Sequence, residues 1–277
     1  PADQPANHKF AYQRRMNPKY KEPPVEFQDL INSAARLILS AKDGVVLTGA
    51  GISTPSGIPD FRTPGSGVWS RFNPMEVASL SAFRAQPEKF FAWLHPLAKK
   101  MFEALPNPAH YALAFLEKAG YLQAVITQNI DGLHQRAGSE QVLELHGSME
   151  TLTCIGCYRK YPAGNYISRY IDQEIPPRCP DCDQILKPDV ILYEEQLPKV
   201  TWLKAQKACR ECSVIIVVGS SLEVTPSATL PLSALEKNAK LIIINQGQTY
   251  LDTQADVRIE GDVAEVLPLL SKAVLDD

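Results

Sequence analysis

The chain has 277 residues, 45% of them hydrophobic and 21% charged, with a net charge of -3. A chain of this length buries a large core without disulfide support. Its balance excludes wholesale disorder, a collagen-like repeat and a strongly cationic binder of nucleic acid or lipid. No apolar run approaches the roughly 18 to 20 residues that span a bilayer, so no membrane segment is expected.

Residues 1–25 carry five prolines among polar and basic residues, with no apolar periodicity and no apolar core of a secretory signal. They read as a flexible N-terminal arm. From Phe27 to Leu39 apolar residues recur at helical spacing, and Lys42-Asp43-Gly44 ends that helix. Gly44 to Thr48 then reads as a short strand running into a glycine turn, Gly49-Ala50-Gly51. Further strand-like runs stand at Ala124–Thr127, Val214–Val218 and Leu241–Ile244, between helical segments such as Ala109–Lys118 and Ala228–Lys237. Short β-branched runs alternating with helices predict an α/β fold, a Rossmann-like, doubly wound parallel sheet covered on both faces. Two stretches interrupt the rhythm. Val68–Leu105 reads as aromatic-rich helices, and Thr151–Lys187 is polar, cysteine-paired and nearly without a core pattern. The expected division is a Rossmann-like domain from 26–67, 107–150 and 188–277, with a smaller domain made of a helical module, 68–106, and a cysteine-bearing module, 151–187.

Cys154-x2-Cys157 and Cys179-x2-Cys182 are two knuckles separated by 21 residues. Each can present two thiolates about 3 to 4 Å apart, and four of them complete a tetrahedral Zn2+ with no position left for water. A structural zinc ribbon is expected rather than a thioredoxin-like redox pair, because neither knuckle opens a helix after a strand. Cys209 and Cys212 form a third pair without a partner pair and read as ordinary buried thiols. Six cysteines without a signal peptide point to a reducing cytoplasm.

Gly49-Ala50-Gly51-Ile52-Ser53 lies where a strand meets a helix, a place where backbone N–H groups can hold a pyrophosphate. It lacks the third glycine and the downstream acid of a dehydrogenase fingerprint. Taken alone it serves equally as a tight turn without ligand. Ser56-Gly-Ile-Pro-Asp60-Phe61-Arg62 follows, displaying an acid, a ring and a guanidinium in succession. Gln128-Asn129-Ile130-Asp131 ends another strand, with His134 beyond it and His146-Gly147 just before the cysteine module. Polar groups at the carboxyl edge of an open α/β sheet lie where ligands bind, and an imidazole there can act as a base. Gly219-Ser220-Ser221 and Asn245 end two further strands with groups suited to ribose and phosphate oxygens.

Together these motifs, in this order, resemble the sirtuin family of NAD-dependent protein-lysine deacylases, from about Gly44 to Leu270. The resemblance implies NAD as co-substrate and a structural Zn2+ on Cys154, Cys157, Cys179 and Cys182. It places Gly49, Ala50, Gly51, Thr54, Asp60, Phe61, Arg62, Gln128, Asn129, Ile130 and Asp131 in the dinucleotide site. Gly219, Ser220, Ser221, Asn245, Asp262 and Val263 join them there. His146 is implied as the general base, with Asn129 beside it. The acyl-lysine peptide is expected to pair as an added strand between Val190, Ile191 and Tyr193 on one side and Val224 on the other. Two departures stand out. Ser220 replaces a usual Thr, and Tyr193-Glu194-Glu195 replaces a usual Phe-Gly-Glu, a change expected to narrow the peptide groove or alter its charge preference. The helical module also lacks the Tyr and Arg, three residues apart, that pair an acidic acyl group, so a neutral acyl group, acetyl or longer, is expected. Mono-ADP-ribosyl transfer to protein is the nearest rival reaction. Direct nucleic-acid binding is not expected from the acidic balance.

Overall fold

The computed structural model describes residues 25–276 except 64 and 66; the arm read at 1–25 lies outside them but for its last residue. In chain order the elements begin with α1 (Val25–Ala41), β1 (Gly44–Thr48), α2 (Pro74–Val77), α3 (Leu80–Ala85), α4 (Pro87–Glu103), α5 (Pro108–Lys118) and β2 (Leu122–Thr127). Next come α6 (Leu133–Ala137), β3 (Val142–Glu144), β4 (Gly147–Cys154), β5 (Lys160–Pro162), α7 (Gly164–Gln173) and β6 (Leu186–Val190). The chain closes with α8 (Lys199–Glu211), β7 (Val214–Val218), α9 (Leu230–Leu235), β8 (Lys240–Ile244), β9 (Val257–Ile259) and α10 (Val263–Leu275). No described helix is long and apolar enough to cross a membrane.

Six strands form one parallel sheet in the order β3-β2-β1-β7-β8-β9. The continuous apolar runs are explained by burial on both faces. Val46, Ile216, Ile242 and Ile244 pack with α1, α5 and α10, through Ile31, Ile38, Leu113, Leu116, Val266 and Leu270. Their neighbours Val45, Leu47, Ile215, Val217, Leu241 and Ile243 face the opposite way, onto Ala205 and Cys209 of α8 and Ala234 of α9. The chain leaves β1 for β2 on one side and later sets β7 on the other. The carboxyl ends of β1, β2 and β7 therefore border a topological switch point, where open α/β sheets bind ligands.

The edge strands β3 and β9 were not anticipated. Each has three residues, too few for a period to register. The helix expected over Ala228–Lys237 is shorter: a 3-10 turn at Ser227–Thr229 precedes α9, and Pro231 occupies an early α9 position where its missing N–H costs nothing. Thr151–Lys187, read as nearly coreless, has a small core of its own. Leu152, Cys154, Ala163, Cys179 and Leu186 pack together beneath the antiparallel sheet β5-β4-β6. A third cluster joins α3 and α4, through Phe83, Phe90, Phe91, Leu94 and Leu97, to Tyr170 of α7 and to Val190 and Leu192 beyond β6.

Candidate active site

Two loops interlock at the end of β1. Gly49 N donates to Val218 O at 3.1 Å, and Gly51 N donates to Gly219 O at 2.8 Å. A Cβ built on Gly51 would stand 2.8 Å from Gly219 Cα, and one on Gly219, where φ is +58°, would stand 2.4 Å from Ile52 N. Backbone can approach backbone this closely only without side chains. Gly219→Ala is therefore expected to cost about 2–4 kcal/mol, lowering the melting temperature by roughly 5–10 °C in thermal denaturation followed by circular dichroism.

The loop after β2 is held from below. Asn129 Nδ2 donates to Gly49 O and to Ser53 Oγ, both at 3.1 Å, and Ser53 Oγ donates to Asp131 Oδ2 at 2.7 Å. Gln128 Nε2 donates to Ser220 Oγ at 3.0 Å, tying this loop to the one after β7. Burial is the largest influence on Asp131 and pushes its carboxyl above the ordinary range, against the opposing Leu133 N–H and Ser53 hydroxyl. Beneath the loop Thr48 Oγ1 lies 2.8 Å from Thr127 Oγ1 and 3.0 Å from His134 Nε2, while Thr127 Oγ1 accepts from Asn129 N. His134 and its neighbour His110, with ring centroids 4.9 Å apart, are both buried; burial lowers them to about 3 and about 4.

His146 stands between the sheet and β4. Its Nδ1 lies 2.8 Å from Gln128 O, and a carbonyl can only accept, so Nδ1 carries the proton and Nε2 presents a lone pair. Burial, with a smaller push from the Arg62 cation, lowers its pKa despite the opposing Gln128 carbonyl. His146 borders a cavity of about 650 Å³ together with Ala50, Phe61, Arg62 and Gln128 to Asp131. The remaining lining is apolar on one side, with Trp69, Trp93, Leu94, Leu97 and Met101, and mixed on the other, where Val190 to Tyr193 and Val224 stand beside Glu194, Glu195, Gln196, Lys199 and Thr225. Trp69 stacks on Trp93 with centroids 5.5 Å apart and lies 5.2 Å from Phe61. Arg62 Nε pairs with Glu223 at 3.3 Å, and its Nη2 lies 3.4 Å from the Tyr193 hydroxyl.

Other residues singled out from the sequence lie off this cavity. Asp60 accepts from Arg62 N, Thr63 N and Thr63 Oγ1, so its carboxylate serves its own loop. Thr54 Oγ1 donates to Gly51 O, Asn245 Nδ2 donates to Gly247 O, and Asp262 caps α10 through Ala264 N. The Val263 side chain is buried in the sheet–helix core, leaving only its backbone for a ligand. Ser220 and Ser221 follow Gly219 at the end of β7, on the same sheet edge. The segment expected to receive the peptide has main-chain groups already in use. Ile191 N donates to His146 O, Leu192 N to Glu195 Oε2 and Tyr193 N to Ala78 O, while Tyr193 O accepts from Leu80 N. The tryptophans of the cavity escaped the sequence reading, and Ser53, though part of the glycine-turn motif, was given no role of its own. The i, i+4, i+7 spacing of Phe90, Leu94 and Leu97 was the available signal for that wall.

The four sulfurs of Cys154, Cys157, Cys179 and Cys182 lie within 4.8 Å of one another, with Cys154–Cys182 at 3.4 Å and Cys157–Cys179 at 3.6 Å. Zn–S bonds of about 2.3 Å in a tetrahedron require sulfurs about 3.8 Å apart, so the cluster fits structural Zn2+. Cys209 and Cys212 are buried near the end of α8, with the Cys212 thiol donating to Cys209 O.

A sequence profile described as the Sir2 family matches residues 49–226. The NAD-dependent protein deacylase 2 of Archaeoglobus fulgidus is 46% identical over 248 residues, covering 89% of this chain and 97% of the relative. A structure solved in work on the mechanism and regulation of Sir2 enzymes superposes with a TM-score of 0.85 at 45% identity, covering 90% of this chain and 99% of the other. Sir2Af2 bound to a myristoylated histone peptide gives 0.77 at 41% identity, covering 90% and 98%. Relatives and backbone agree over nearly the whole described length and the profile over 49–226, and the chain belongs to the Sir2 family, the sirtuins.

Proposed function

We infer that this chain is an NAD-dependent protein-lysine deacylase, releasing free lysine, nicotinamide and O-acyl-ADP-ribose, and we propose His146 as its general base. One observation carries the reading: an imidazole with a bare Nε2 borders a cavity walled by a polar loop at the sheet edge and by an apolar channel. The glycine-only approach of the 49–51 and 219 loops packs backbone on backbone at the carboxyl edge of β1 and β7, the edge where an open α/β sheet would receive the co-substrate. Bound NAD+ supplies a cationic leaving group and an electrophilic ribose carbon that an amide oxygen can capture. With the co-substrate bound, Nε2 of His146 would be the atom that accepts a proton from a ribose hydroxyl. Its neutral form is favoured at pH 7 because burial disfavours the imidazolium.

Asn129 stays oriented because its amide is bonded to Gly49 O and Ser53 Oγ. Phe61 and the stacked tryptophans present their rings to the cavity, where they would shield the reacting face from water. The α4 wall presents rings and aliphatic chains, which favours neutral acyl groups, and Sir2Af2, similar to this chain, has been solved with a myristoylated peptide. Acyl-lysine peptides are the substrates this cleft suits. Six cysteines free of disulfides suit a reducing, cytoplasmic setting. Incubation with NAD+ and acetyl-, longer-acyl and succinyl-lysine peptides, read by mass spectrometry, is expected to give one nicotinamide and one O-acyl-ADP-ribose per lysine freed, with succinyl slowest. ADP-ribose accumulating on protein instead would establish the transferase reading.

A further inference from the structure

Glu194 occupies a left-handed backbone conformation, φ +74°, that disfavours any residue with a Cβ. Its side chain holds a counterpart. Glu194 Oε2 accepts from Ser81 N at 2.9 Å and Oε1 from Ser81 Oγ at 3.0 Å. Beside it Tyr193 O accepts from Leu80 N and Tyr193 N donates to Ala78 O, both at 3.0 Å. The opening donors of a helix have no partner within it. In α3 only Ala82 N is served locally, by Ser79 Oγ, while Leu80 N and Ser81 N are satisfied by residues from the far wall of the cavity.

The position of α3 passes directly to the lining. Phe83 packs on Phe90 and Phe91 of α4, at 5.0 and 6.1 Å, and α4 carries Trp93, Leu94 and Leu97 into the cavity. The opposite edge of α4 is held by α7, where the Tyr170 hydroxyl donates to Phe91 O and His95 Nε2 donates to Ile171 O. Removal of the carboxylate leaves the two Tyr193 backbone bonds, to Ala78 and Leu80, between the start of α3 and this wall, with α4 still held on α7.

We propose that Glu194 is a positioning residue that sets acyl-chain selectivity by bolting α3 to the peptide-side wall and so fixing the width of the apolar cavity. The proposal rests on the deacylase reading. The bolted cavity grips a short acyl group, and an α3–α4 pair loosened at Ser81 admits longer chains at the expense of short ones.

The test pairs hydrogen exchange with kinetics on Glu194→Gly, Glu194→Gln and Ser81→Asp. Glycine suits φ +74°, so that variant loses the bolt without backbone strain; Ser81→Asp opposes the carboxylate from the other side. In Glu194→Gly and Ser81→Asp the Ser81 amide is expected to exchange about ten-fold faster, as befits loss of a charge-assisted bond. The kcat/KM ratio of myristoyl- to acetyl-lysine peptide is expected to rise about five-fold, chiefly through the acetyl KM, with Glu194→Gln intermediate because one acceptor survives. Wild-type exchange at Ser81 in Glu194→Gly overturns the bolt, and faster exchange with an unmoved ratio overturns its role in selectivity. A wild-type protein inactive on every acyl peptide removes the deacylase reading and this proposal with it, whereas an active one with an unmoved ratio sinks the proposal alone.

Discussion

His146→Tyr is expected to lower deacylation by about 10²–10⁴-fold, the usual worth of a positioned general base, with thermal unfolding close to wild type. The geometry makes the loss specific. Donation from Nδ1 to Gln128 O fixes the tautomer, so the only basic lone pair is at Nε2. A phenol cannot take that proton at neutral pH, since its own pKa is near 10. The ring is half-buried and carries none of the core packing of the sheet, so the fold survives its replacement. The pH profile of the wild type follows from the same burial. As the proposed base, His146 would act when neutral, and burial holds its pKa below 6.5, so activity is expected to hold through pH 7 and to fall in more acid solution. Initial rates from mass spectrometry of the freed peptide measure both effects. Undiminished turnover in the variant would remove His146 from the mechanism.

Removal of the metal is expected to be as damaging, by a different route. Structural zinc contributes on the order of 10 kcal/mol to small cysteine sites, far above what the few side chains around Leu152 and Leu186 contribute by burial. Cys179→Ser should lose bound zinc, melt the β5-β4-β6 sheet and abolish deacylation. The coupling is covalent: β4 begins at Gly147, next to His146, and β6 runs into the Val190–Tyr193 wall of the cavity. Cys209→Ser, remote from the cluster, should keep one zinc per chain by atomic emission and most of its activity. Full zinc content and activity in Cys179→Ser would contradict the assignment.

The parallel sheet was legible because its four inner strands are buried on both faces, which forces continuous apolar runs at Val45–Leu47, Ala124–Ile126, Val214–Val218 and Leu241–Ile244. The edge strands β3 and β9 left no such mark. Pairing on one side only, over three residues, demands neither length nor alternation. The four zinc cysteines were legible from spacing alone, since two thiolates of a C-x2-C turn converge without help from the rest of the fold. The cavity was not. Trp69 and Trp93 lie far apart in sequence and meet only when α4 packs against the loop after Arg62, and nothing in the local pattern separates a ring that lines a channel from one that fills a core. Glu194 illustrates the same limit in reverse: the departure from the family's glycine was visible, but its partner Ser81 was not.

The paired imidazoles beneath the 128–131 loop make the scaffold fragile toward acid. His110 and His134 are held neutral, at about 4 and about 3, against 6.5 in an unfolded chain. Below 6.5 the unfolded ensemble binds protons that the native state refuses, and each ring then subtracts about 1.4 kcal/mol of stability per pH unit until its folded value is reached. Neither ring touches the cavity, but His134 contacts the threonine pair that steadies Asn129. Acidification is therefore expected to loosen the floor of the cleft while it titrates the proposed base above, so that protons would act on this protein by two routes at once.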